Sequence, residues 1–166
     1  FSQPDMDTFP EYTEELRGAM YEEAIRFFRH LFAENRPIRD LVEADYTFLN
    51  ETLAEHYGID GVEGAEMRKV SLEGEIHKQR GGIFGFGSLL TVNSTPLRAN
   101  PIYRGVWVID KVLGTPTHEP PPVPPLSEAA PPGEDLKFHE LLELHRADAA
   151  CAVCHDRIDP PGLALE

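Results

Sequence analysis

Between Pro116 and Gly133 the chain gathers more than half of its 15 prolines, including Pro120-Pro121-Pro122 and Pro124-Pro125. Each proline fixes φ and removes an amide donor, so such a run can join neither a helix interior nor a central strand. It favours extended polyproline II and reads as a semi-rigid spacer. The spacer divides the 166 residues into a domain over 1–115, a linker over 116–133 and a C-terminal segment over 134–166. A docking site for a proline-recognising module is the weaker reading of the same stretch.

The periodicity on either side is helical, which predicts a mainly α protein. Thr13 can cap a first helix, with Glu14 and Glu15 placed favourably against the macrodipole. Leu16, Met20, Ala24, Phe27, Phe28 and Leu31 carry that helix to about Ala33. Pro37 suits the first turn of a short second helix ending near Ala44. Thr47 is expected to open a third, through Phe48, Leu49, Leu53 and His56 to Tyr57, stopped by Gly58. The stretch from Gly61 to Glu75 reads as loop, with one short strand at Met67–Leu72. Gly81 to Leu90 reads as a tightly packed helix whose small residues let neighbours approach. It is no phosphate cradle, since no strand leads into it and no Gly-Lys-Ser/Thr follows. Pro101 begins a helix to Leu113, stopped by Gly114 and Pro116. Past the spacer, Glu134 to Ala150 is expected to form one helix with Phe138, Leu141, Leu142, His145 and Ala149 on one stripe.

Composition removes several function classes. The net charge is −14, from 29 acidic and 15 basic side chains. Such a chain repels a phosphate backbone and an anionic membrane surface alike, and a diffusing partner would be basic. The same charge also serves simply to keep a protein soluble. No apolar stretch is long enough to span a bilayer. The first residue is Phe rather than Met, which points to a processed or excised piece of a longer protein, so a missing leader says nothing about compartment.

The two cysteines stand three apart in Cys151-Ala152-Val153-Cys154-His155, which excludes a disulfide framework and a four-cysteine zinc site. Two thiols at this spacing with His next in sequence are what covalent haem c requires. Cys151 and Cys154 would form thioethers with the two vinyl groups, and His155 would be the proximal iron ligand. A thioredoxin-like pair would need a βαβ setting, a zinc half-site would need a second ligand pair, and two structural cysteines would not need the His. After His155, Ile158-Asp159-Pro160-Pro161-Gly162 predicts an immediate turn. A carbonyl of that proline stretch could accept from Nδ1 of His155 and fix its tautomer.

The distal side is less constrained. His145, on an apolar stripe, is a candidate sixth ligand or haem neighbour, but ligation would require the 134–150 helix to break. Met67 is a weaker candidate, and a ligand from another chain is open. Only 11 residues follow His155. The haem would therefore lean on the preceding helix, on the first domain or on another chain, and Tyr103 or Trp107 is expected to approach the porphyrin.

These residues resemble the large planctomycete-type multidomain cytochrome c proteins, which carry domains of unknown function before a C-terminal haem c motif. The resemblance runs through Phe9-Pro10, Glu15-Leu16-Arg17, Asp45 to Asn50, His56 to Ile59, Arg80-Gly81-Gly82, Leu90-Thr91, Arg104 to Trp107 and Leu113 to Pro116. It continues through His145-Arg146, Cys151 to His155 and Ile158-Asp159-Pro160 to Ala164-Leu165-Glu166. It implies an exported, periplasmic protein with one covalent haem c, passing electrons to redox partners that are other subunits or the rest of a longer chain. The family's members usually continue past the final Ala-Leu-Glu. A haem enzyme or ligand sensor with an open distal site, and a scaffold subunit, are the competing functions. Electron transfer is favoured because no acid, base or arginine constellation near the motif proposes chemistry.

Overall fold

A computed structural model describes residues 3–117, 138–147 and 149–166. The spacer reading falls almost wholly outside the described residues. The described elements are mainly helical, as the periodicity predicts. Contacts group the chain into two compact units, one reaching to Ala99 and one from Asn100 to Ala164.

In the first unit the longest element is helix α1, Glu14–Ala33, and Thr13 caps it by accepting from the Leu16 amide. Its buried face carries Leu16, Ala19, Met20, Glu23, Phe27 and Leu31. A short α2, Asp40–Glu43, follows Pro37. The third helix then departs from expectation. Tyr46–Leu49 is strand β1, and α3 begins only at Glu51, running to Tyr57. Tyr46, Thr47 and Phe48 are aromatic or β-branched and suit a pleated, half-buried surface. Asn50 supplies the real N-cap, its side chain accepting from the Leu53 amide at 3.0 Å. Gly58, with φ 68°, stops α3 as expected. The expected strand at Met67–Leu72 is present as β2, Arg68–Ser71, antiparallel to β1 with Tyr46 opposite Ser71 and Leu49 opposite Arg68.

Between Gly74 and Ala99 the chain is more broken than a single glycine-rich helix. It forms α4, Gly74–Arg80; a 3-10 turn, Ile83–Gly85; α5, Gly87–Val92; and a small hairpin of β3, Ser94–Thr95, with β4, Arg98–Ala99. The break has a packing cause. Gly82 takes φ 71°, and a Cβ there would stand 2.5 Å from the carbonyl oxygen of Leu41. The small residues do permit close approach, but through a turn rather than a helix. The core closes on Leu16, Met20, Leu49, Leu53 and Tyr57, and beside it Phe27 packs against Tyr46 and Phe86 with ring centroids 5.4 and 5.1 Å apart.

The second unit contains α6, Pro101–Trp107, extended by a π turn over Val108–Val112; α7, Phe138–Arg146; and α8, Ala149–Leu163. Two expectations change here. The single helix of 134–150 is divided after Arg146, and the cysteines belong to a new helix rather than following an old one. The turn after His155 does not form, because α8 continues through Pro160 and Pro161. Those residues remove two amide donors, which is unfavourable in a helix. Packing opposes that loss: Ile158, Asp159 and Gly162 are buried along α8. A Cβ on Gly105 would lie 2.0 Å from the Ile158 carbonyl oxygen, and one on Gly162 would lie 2.0 Å from that of Pro101. The backbones of α6 and α8 thus touch at two glycines. This also sets α6 with the C-terminal helices rather than with the residues before it.

Candidate functional site

Helix α8 carries the motif. Cys151, Cys154, His155 and Ile158 follow an i, i+3, i+4, i+7 spacing, which puts them on one helical face. Both cysteines are free thiols, Cys151 half-buried and Cys154 exposed. His155 is half-buried, and its Nδ1 lies 2.8 Å from Oδ1 of Asp159, one helical turn further on. Asp159 is 2% exposed. Its other oxygen, Oδ2, is 3.3 Å from an Arg146 guanidinium nitrogen at the end of α7.

A carboxylate and not a proline carbonyl therefore engages Nδ1 of His155. The expected acceptor is corrected, and for the same reason that the expected turn fails. Because α8 persists through the prolines, position 159 stays one turn above position 155 and faces it. A turn at 158–162 would have carried Asp159 away.

The chemistry of this donor set fits haem c. Two reachable thiols share a helical face with an imidazole whose Nδ1 is already bonded. With the proton on Nδ1, Nε2 is the nitrogen that presents a lone pair to a metal. The other expected neighbours divide. Tyr103 and Trp107 stand on α6, the helix that crosses α8. The side chain of His145 lies outside the described residues, although its backbone belongs to α7 and the break that ligation would need does follow it. Met67 packs against the hydrophobic core of the first unit.

Asp159 and Arg146 form an acid and arginine constellation beside the motif that the sequence did not propose, and two further charged groups also escaped sequence reasoning. Arg104 is buried on α6 and lies 4.0 Å from Glu166, so the Arg-Gly and Ala-Leu-Glu motifs meet in one unit. Glu23, in the first unit, is 1% exposed and accepts from Thr47 Oγ1 and Tyr57 Oη, both at 2.6 Å. Tyr57 in turn accepts from the Gly87 amide at 2.7 Å, and the Arg80 guanidinium sits 4.1 Å from the centre of its ring. Burial pushes Glu23 up to about 7, with the two hydroxyl hydrogen bonds opposing. The Tyr57 hydroxyl is also pushed up, by burial and then by the neighbouring carboxylate. Glu23 falls at the i+3 and i+7 positions from Met20 and Leu16, so its place on the buried stripe was visible in the spacing.

Residues 80–166 match the family PSCyt3, described as "Protein of unknown function (DUF1588)", and residues 1–59 match PSD4, described as "Protein of unknown function (DUF1592)". These are the domains of unknown function found in planctomycete-type multidomain cytochrome c proteins. No curated protein and no solved structure matches the chain.

Proposed function

Since the chain belongs to the family described as protein of unknown function DUF1588, we propose that Cys151, Cys154 and His155 attach one haem c and that the chain transfers electrons outside the cytoplasm within a larger assembly. One observation carries this reading: α8 presents the two thiols and the imidazole on one face, with His155 Nδ1 bonded to a buried carboxylate. Attachment requires only addition. Cys151 and Cys154 would hold the group by adding across its two vinyl double bonds, each sulfur bonding to the inner carbon and each thiol hydrogen going to the terminal carbon, so that no atom would leave. Bound haem supplies one-electron exchange between ferric and ferrous iron. The residues of the chain do the rest. His155 would offer Nε2 to the iron, and Asp159 holds its ring.

The acidic surface supports basic redox partners, since charge of one sign steers and selects its complement. No helix among the described residues is long and apolar enough to cross a membrane.

The test is an optical spectrum of the reduced, haem-loaded chain with and without carbon monoxide. An electron-transfer protein with both axial positions filled shows no change. A shifted Soret band would show an open position and would favour a ligand-binding or catalytic haem instead.

A further inference from the structure

The neighbourhood of His155 contains a device that haem attachment itself does not need. Attachment uses two sulfurs and one imidazole nitrogen. Asp159 provides none of these, yet it is a charged group withdrawn from water with only 2% of its surface exposed. Burying a carboxylate is unfavourable unless it is paired and hydrogen-bonded, and this one has two partners: His155 Nδ1 at 2.8 Å and Arg146 at 3.3 Å. The pairing survives only because α8 runs on through Pro160 and Pro161, held by the glycine contacts with α6.

Resting on the haem reading above, we infer that Asp159 is a positioning residue that sets the reduction potential of the iron through His155, with Arg146 as its counterweight. The Asp159 carboxylate accepts from Nδ1–H, fixes the ring orientation and raises the electron density at Nε2. A more electron-rich proximal ligand stabilises ferric over ferrous iron and lowers the potential. Arg146 draws density from the same carboxylate through Oδ2 and so limits the effect. The chain therefore carries an adjustable lever made from one acid and one base on neighbouring helices, α8 and α7.

Opposite signs on the two partners make the inference testable. The 166-residue chain is exported with a c-type cytochrome maturation system, and its midpoint potential is measured by spectroelectrochemistry at fixed pH. Asp159→Asn removes the acceptor charge and is expected to raise the potential, changing the ferric-to-ferrous binding ratio tenfold or more. Arg146→Gln is expected to lower it. Asp156→Asn removes a charge from an exposed position beside His155 without touching the hydrogen bond, and is expected to move the potential little. Equal shifts from Asp156→Asn and Asp159→Asn, or no shift from either Asp159→Asn or Arg146→Gln, would overturn the inference. If Asp159→Asn fails to mature, the Arg146→Gln arm decides: a lowered potential upholds the lever and an unmoved one refutes it. Absence of covalent haem in the unaltered chain would instead defeat the haem reading, and the two failures are told apart by haem staining alone.

Discussion

Among the described residues, the most deeply buried carboxylate of each unit is Glu23 in the first and Asp159 in the second, and the two are buried in opposite ways. Glu23 is surrounded by hydroxyls, from Thr47 and Tyr57, inside a core of aromatic and aliphatic side chains. Desolvation dominates there and the protonated form is favoured up to about pH 7. Asp159 faces an imidazole on its own helix, α8, and a guanidinium at the end of α7. The first arrangement ties α1, β1, α3 and α5 into one core. The second ties a motif side chain to a charge network. The contrast teaches that burial of an acid is by itself no sign of function: Asp40, also buried and paired with Arg36 and Tyr46, touches no motif residue, whereas Asp159 touches His155.

The greatest predicted effect targets the glycine crossing on which the second network depends. Gly105→Ala places a methyl where the Ile158 carbonyl oxygen already stands, so α6 and α8 must move apart. A loss of roughly 3 kcal/mol is expected, at the upper end of the usual cost of overpacking that forces the backbone to shift. Hydrogen exchange should show it confined to residues 100–164. Equal loosening of α1 and α3 would break the division into two units.

Next comes the acid of the first unit. Its folded-state value is raised to about 7 from an ordinary 4.5, so the stability contributed by protonated Glu23 is complete below 4.5 and is lost as pH rises through 7. Denaturant unfolding of α1 at pH 5 and pH 8 should differ by on the order of 2 kcal/mol from this group alone. Glu23→Gln should remove that difference. An unchanged pH dependence in the variant would mean that Glu23 does not carry the difference.

The smallest of the three concerns a boundary. Asn50→Ala removes the cap of α3 and is expected to lower stability by about 1 kcal/mol. Thr47→Ser, at the position where the periodicity places the start of this helix, should leave α3 capped and act only through the lost buried methyl, since the hydroxyl that donates to Glu23 is kept.

These experiments also mark where the sequence was legible. Thr13 with its following acids read correctly as a cap, Gly58 as a stop, and Arg68–Ser71 as a strand, because each signal is local. Thr47 misled because threonine serves both caps and strands, and the β2 residue that decides between them, Val70, lies 23 residues further along the chain (47 to 70). Pro160 and Pro161 misled more seriously. Their local preference for a turn is strong, but α6 lies against α8 at Gly105 and Gly162, and a contact between segments so far apart in sequence leaves no periodic trace. The proposed haem motif is visible in the sequence as five residues. Asp159 was visible as a residue and invisible as a neighbour, since its relation to His155 exists only if the helix continues.

The central claim is that Cys151 and Cys154 hold a haem covalently. The most direct measurement is the intact mass of the exported, maturation-competent chain under denaturing conditions, alongside Cys151→Ala with Cys154→Ala. The account predicts a mass equal to the chain plus one whole haem with no atom lost, and the bare polypeptide mass for the double variant. A wild-type chain that emerges at its polypeptide mass, with two free thiols, would contradict it.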